Sequence, residues 1–524
     1  MKQRIVATLV LIPALCLTAC NNHSGESSAG GAKNTEMKKR DITVLLTHAD
    51  AVFATQRPVS DHQIYYNEIN RLAGRNVKYD FLTWGGGNDF KQQLALRFAS
   101  GDLADLVRTD SIDSSVHRGA VDQGVFLQLD ELIDKYGPHL KAKIPKVSWD
   151  SPRVKKNGKT YGIPVLSGWP ATRMMFYRQD WLDELGMEPP KTLDEFLKYA
   201  EGVKQKDMNK DGDPNNEYVL PLNDNLEYSD ILSGAFGVRP GAWQLRNGRM
   251  EPDVIQPQMK EAVAFYKKLY DNGYIMKDFA TKKQAERTAE IYKGQYGAFT
   301  ALVDHYVRFD GASKYLNQPN AKITMAAPLK GAKGESYVDL ENEQVDFVWV
   351  IPANTKNPEE VIQFLDWAWS SPEADQFFAF GVKGHNYTEE NGQVKYDPNA
   401  PANSQNNAYE FFQKNLNFRE IGITNPKVIS TLPDSKKILK AYADAESAVY
   451  KHASLGMPVL KALDGHPELT PNLTAGSLFS DGFVRWVVGR EDLDTGFEKF
   501  VNDWKQRGGE QAIKEATEWY QKKK

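Results

Sequence analysis

The sequence predicts an α/β protein, rich in helix and large enough for two lobes. Three observations carry that expectation. Short runs of β-forming residues alternate with amphipathic helical stretches from residue 41 onward. The chain has 524 residues, well beyond a single domain of roughly 150. No apolar stretch beyond the first twenty residues is long enough to hide a chain of this size in a membrane.

Lys2 and Arg4 precede an apolar run over 5–17, too short for a permanent span, so residues 1–19 read as an export signal. The run closes on Leu17-Thr18-Ala19-Cys20, which resembles a bacterial lipobox, with Cys20 lipidated (palmitate among its acyl chains) as the first mature residue. Residues 20–40 are polar and rich in Gly and Ser, a flexible tether with a reach of roughly 25 Å. The stretch 41–48, DITVLLTH, then reads as a first strand, 60–72 as a helix, 76–83 as a strand, 89–100 as an amphipathic helix and 105–107 as a strand. That order implies a parallel sheet with crossover helices, whose ligands sit beyond the carboxyl ends of the strands. Strands are also expected at 161–166 and 174–177, and helices at 192–206, 257–272, 282–293, 358–369, 372–380, 435–452 and 493–523. Pro358 and Pro372 suit a first helical turn.

Composition excludes several classes. Lys+Arg 65 against Asp+Glu 69, with no long basic stretch, offers no phosphate-binding face, so nucleic acid is not a partner. Cys16 and Cys20 are the only cysteines, which removes disulfide frameworks and thiolate zinc sites. The nine histidines form no HExxH pair and there is no G-x-S-x-G elbow. Gly158 reads as a hairpin turn residue, and Gly85-Gly86-Gly87 as a loop with ligand access. Two carboxylates suffice for glycoside hydrolysis, so a secreted polysaccharide-degrading hydrolase or lyase is the competing class, and a structural surface protein a third.

Residues 207–217, DMNKDGDPNNE, place oxygen ligands at positions one, three, five and seven with Gly212 at six, the start of an EF-hand-like calcium loop. Asp207, Asn209, Asp211 and Asp213 are the first candidates. Glu217 lies at position eleven and Tyr218 at twelve, so Asn215, Asn216 and Glu217 share the remaining places. A strand rather than a helix is expected after the loop, which favours a structural staple over a sensor.

Several motifs together resemble bacterial extracellular solute-binding proteins, family 1, of ABC importers, in the branch that includes receptors for alginate and other uronide oligosaccharides. They are the lipobox, the run Ala99 to Val107 (ASGDLADLV), Lys159 to Pro164 (KTYGIP), Phe176 to Leu182 (FYRQDWL) followed by Gly186 and Pro189-Pro190, Gly297-Ala298-Phe299, Phe364 to Trp367 (FLDW) and Gly381 to Tyr387 (GVKGHNY). The resemblance spans about 41–520 and implies a two-lobed periplasmic-binding-protein-like (type II) fold with a hinge and a helix-rich C-terminal region. The expected boundaries are 41–163 with about 296–345 for the N-lobe, and 164–295 with about 346–524 for the C-lobe. It further implies a binding protein rather than an enzyme. Such a monomer, lipid-anchored outside a Gram-positive cell, would hold structural calcium and pass an oligosaccharide, uronates included, to ABC permease subunits. Sugars need aromatic faces and polar rims. Trp84, Trp169 and Trp243, in loops, are therefore candidate stacking residues, and Asp110, Arg173, Asp304, His305 and Tyr306 candidate polar contacts. Trp181, Trp367, Trp369 and Trp486 fall in helical apolar patterns and are assigned to the core.

Overall fold

The computed structural model describes residues 40–49, 51–167, 173–226, 229–302, 306–309, 315–420, 425–432 and 434–523. Cys20 with its tether, Trp169, Asp304 and His305 lie outside the described residues. Among the described residues no helix is long and apolar enough to cross a membrane.

Two hydrophobic cores divide the chain. The first is built on a five-stranded sheet in the order Val77–Leu82, Ile42–Thr47, Leu106–Thr109, Val345–Val350, Ile163–Leu166. Its first three strands are parallel, with Val44 beside both Tyr79 and Leu106. Helices Val59–Ala73 and Asn88–Ser100 make the crossovers. Strand Val345–Val350 runs against both neighbours, Trp349 lying opposite Arg108 and Ile163. The ITVLLT strand is apolar throughout because both faces of a parallel sheet are covered. The second core surrounds a three-stranded sheet with Arg173–Arg178 at its centre and Ala298–Leu302 and Ile323–Ala326 antiparallel on either side. Helices Leu193–Lys204, Pro257–Asp271 and Leu478–Val487 bury their apolar stripes there.

The first core draws on residues 42–165 and 345–418, the second on 174–338 and 429–516. This corrects the expected boundaries. Strand Ala298–Leu302, assigned to the N-lobe, pairs with Arg173–Arg178 of the second lobe, and residues 346–418, assigned to the C-lobe, complete the first. The cause is non-local pairing, which strand patterning does not encode. Other expectations hold. Asn157 and Gly158, at φ 52° and 76°, close a two-residue hairpin turn between Lys155–Lys156 and Lys159–Thr160. The long helix expected over 493–523 is interrupted at Gly508, whose φ of 134° separates Leu493–Trp504 from Glu510–Lys523.

The chain crosses between the cores three times, after residues 165, 338 and 418. The middle crossing contains Gln344 in the left-handed region at φ 57°, its amide donating to Asn342 Oδ1 at 2.7 Å and its carbonyl accepting from Ser167.

Candidate binding cleft

Strands Ile42–Thr47, Val77–Leu82, Leu106–Thr109 and Ile163–Leu166 point the same way, so their carboxyl ends share one rim with the start of Val345–Val350. All three crossings pass this rim, the chain leaving at Leu166, returning at Val345 and leaving again at Arg419, whose carbonyl accepts from the Leu166 amide at 2.8 Å, which turns the rim toward the second lobe. The second lobe answers with the start of Arg173–Arg178, where Arg173 lies opposite Leu302.

Trp84 stands on the first rim, two residues after strand Val77–Leu82. Its half-buried ring packs on Phe90 at 5.8 Å and edge-on to Phe347 at 6.1 Å. Gly85 and Gly87, at φ 51° and 89°, turn the chain into the following helix, and the Gly87 amide donates to the Trp84 carbonyl at 2.8 Å. Only glycine takes two such positions in one tight turn at low cost. Asp110 ends the third strand. Thr109 Oγ1 donates to its Oδ1 at 3.3 Å, and its carbonyl accepts from Arg153 Nε at 2.7 Å. Arg153 also donates to the carbonyls of Val345 and Asp346, stapling two strand ends at the rim. Burial raises the Asp346 carboxyl, against the opposing pull of Arg153, Lys414 and Arg108. Asn415 Nδ2 reaches the His48 carbonyl at 2.8 Å, bringing the 411–418 segment to the same rim.

Arg173 is the second lobe's polar group. Its Nη1 lies 2.6 Å from Asp230 Oδ2, which also meets Nη2 of fully buried Arg239 at 2.6 Å. Burial alone would raise the Asp230 carboxyl, but the Arg173 and Arg239 guanidiniums outweigh it and hold it below its ordinary range. Asp230 thus fixes the direction of Arg173 on a rigid support.

Two expected cleft residues belong elsewhere. Trp243 is 3% exposed, opens a hairpin with Arg249–Pro252, and packs 6.2 Å from Trp504, so it is a core residue of the second lobe. Its flanking glycine and proline made a strand look like a loop. Tyr306 is also buried, its hydroxyl donating to Asp434 Oδ2 at 2.9 Å. Trp181 and Trp486 are core residues, and Trp367 and Trp369 pack partly buried on the first core. Arg153, Asp230, Asp346 and Asn415 were missed, because their partners lie tens to hundreds of residues away and no local pattern marks them.

Residues 207–217 form a tight turn with Lys210 and Gly212 at φ 59° and 95°. Asp207 accepts from the amides of Asp211 (3.2 Å) and Gly212 (2.9 Å), and Asn209 Oδ1 from Asp211 at 2.9 Å. Asn216 bridges Asn209 and Asp211. Asp213 and Asn215 are exposed and bond locally. Glu217 is buried, with Oε1 accepting from the Met208 amide at 2.9 Å and Oε2 lacking any partner. Burial raises its carboxyl. A buried carboxylate oxygen without a partner, close enough to Asp207 to feel its charge, is what a hard cation would relieve. Even so, among the described residues no three His, Cys, Asp or Glu side chains already stand at metal-binding spacing.

Residues 76–381, more than half of the chain, match the bacterial extracellular solute-binding protein family. The chain belongs to that family. It is 24% identical to lipoprotein LipO of Bacillus subtilis (strain 168), over all of both chains. It is 26% identical to the polygalacturonan/rhamnogalacturonan-binding protein YtcQ of the same organism, over 99% of each. Among solved structures, the alginate-binding protein AlgQ2, determined without calcium ion, superposes with a TM-score of 0.69 at 21% identity, covering 92% of this chain and 98% of that one. The Streptococcus pneumoniae ABC-transporter substrate-binding protein FusA with kestose gives 0.67 at 18% identity, over 92% and 99%. The two-lobed solute-binding fold is therefore established, and YtcQ, AlgQ2 and FusA are named as binding proteins.

Proposed function

We propose that this protein is the lipid-anchored receptor of an ABC importer, capturing an oligosaccharide between its lobes and delivering it to the permease without turning it over. The observation that carries the reading is that Trp84 and Asp110 stand at the carboxyl rim of the first sheet, from which the chain crosses between the lobes at Leu166, while Arg173, oriented by Asp230, opens the central strand of the second lobe just after that crossing. An aromatic face and a forked guanidinium across a hinge are what a sugar with an acidic or hydroxyl-rich edge requires. The names of YtcQ and AlgQ2 support a uronate-containing ligand, and that of FusA with kestose supports an oligosaccharide more broadly. The ligand would act by population shift, because only the closed form lets it touch both rims. The Leu17 to Cys20 motif, with the likeness to LipO, supports anchoring through Cys20 on the extracellular face of the membrane.

The loop fits structural calcium held by Asp207, Asn209, Asp211 and Glu217, with Asn216 behind them. Its chemistry would be electrostatic, satisfying the Glu217 carboxylate and fixing the turn after helix Leu193–Lys204. Asp213 and Asn215 would have to turn inward to join it.

The deciding experiment is calorimetric titration with oligogalacturonides, rhamnogalacturonan fragments and kestose, followed by mass spectrometry of the mixture. Saturable binding with the sugar recovered intact is expected. Cleaved sugar would establish an enzyme, and no heat across the panel would overturn the oligosaccharide reading.

A further inference from the structure

Four buried arginines each meet a carboxylate: Arg75 with Glu360 at 3.3 Å, Arg178 with Asp180 at 2.6 Å, Arg239 with Asp230 at 2.6 Å, and Arg419 with Asp375 at 2.7 Å. Arg108 does not. It is 1% exposed, on the third strand of the first sheet, two residues before Asp110. Its guanidinium carbon lies 4.5 Å from the Trp349 ring centre and 5.8 Å from that of Phe347. Its Nε and Nη2 have no hydrogen-bond partner, and no carboxylate among the described residues comes within salt-bridge distance. Burial draws its pKa down to about 9, which leaves it charged at neutral pH. Phe347 in turn touches Trp84, so the charge sits directly behind the aromatic pair that forms the rim wall.

A buried cation that has aromatic faces but no carboxylate partner is costly to the folded protein, and an anion brought near it is favoured. Asp346, the acid whose charge acts on Arg108, has its ionisation opposed by burial and is shared with Arg153 and Lys414. In a low-dielectric wall the field of the remaining charge reaches into the cleft with little screening. A neutral sugar on Trp84 gains nothing from it, whereas a carboxylate on that sugar does.

We propose that Arg108 is a specificity-determining residue that makes the first lobe select a carboxylate-bearing oligosaccharide over its neutral counterpart. The inference rests on the oligosaccharide reading and deepens it. Wild type and the variants Arg108→Met, Arg108→Gln and Arg108→Lys are titrated with oligogalacturonides and with the same oligomers as neutral methyl esters, after melting curves confirm the fold. Wild type should favour the acid. The Met and Gln variants should lose about tenfold or more in acid affinity with the ester unchanged, and Lys should restore the preference. Equal weakening of both ligands, or none, would mean a packing role only and overturn the proposal. If the two neutral variants do not fold, Lys decides: a retained acid preference supports the charge, and its loss refutes it. Wild type binding only the ester would overturn the inference while leaving the oligosaccharide reading intact, and binding neither ligand nor any other oligosaccharide would overturn both.

Discussion

Replacing Asp230 with Asn removes one charge from a cluster in which it balances two guanidiniums. Arg239 is fully buried and its Nη1 and Nη2 both bond to Asp230, at 3.0 Å on the carbonyl and 2.6 Å on the carboxylate. The next acid, Asp339, stands 4.0 Å away. Asn is isosteric, so packing is unchanged and the cost is that of an uncompensated buried cation, about 3–5 kcal/mol. Arg173 is about one-third exposed and can turn to water, so Arg173→Met should cost no more than about 1 kcal/mol. For a lobe of some 250 residues, 3–5 kcal/mol corresponds to a fall of roughly 6–20 °C in its transition. Calorimetry resolves whether only the second lobe's transition moves. The pH dependence follows from the direction of the Asp230 shift. Its folded pKa lies below the ordinary value, so its contribution is complete above the usual carboxylate range and is lost as pH falls through the folded value. The gap between wild type and Asp230→Asn should therefore be full at pH 7 and close in strong acid. A variant within 0.5 kcal/mol of wild type (roughly the noise expected of surface changes) would show that Arg239 finds other compensation and that Arg173 is not held by this carboxylate.

Chelation of calcium should destabilise the second lobe by about 2.7 kcal/mol relative to a hundredfold excess of ion over its dissociation constant, read as a lower melting temperature, and Glu217→Gln should abolish the response; an unchanged melt with and without chelator would remove calcium from the account. Trp243→Ala should cost about 3–5 kcal/mol in urea unfolding and leave sugar affinity within about twofold, whereas a large loss of affinity at unchanged stability would return Trp243 to the cleft. His62 and His117 are both held below the ordinary histidine value by burial. Stability from each is therefore complete above pH 6.5 and declines as pH falls, by at most about 1.4 kcal/mol per pH unit per group. His117→Gln, able to keep a bond to the Thr109 hydroxyl, should flatten the pH profile of the first lobe between pH 7 and 5, and an identical slope in the variant would refute that source.

The strands and helices that carry local periodicity were legible residue by residue. DITVLLTH read as a strand and is one, and Gly158 read as a hairpin turn residue and closes a hairpin with Asn157. Which sheet a strand joins was not legible. Val345–Val350 is separated by over 230 residues from its partner Leu106–Thr109, and its apolar pattern would have suited the second sheet as well. The same limit governs the cleft. Trp84 could be placed because it follows a strand and meets glycines, a local signature of a rim. Trp243 carried similar neighbours, yet the helix that buries it is contributed by residues near 504. Arg173 was legible as a guanidinium after a crossing, but the carboxylate that aims it lies 57 residues on. In a two-lobed receptor this division is physical: rims are built from local turns, while the charges that orient their side chains are recruited from strands and helices distant in sequence. Electrostatic specificity of the kind assigned to Arg108 therefore has no sequence motif, since it consists in the partner that the fold withholds.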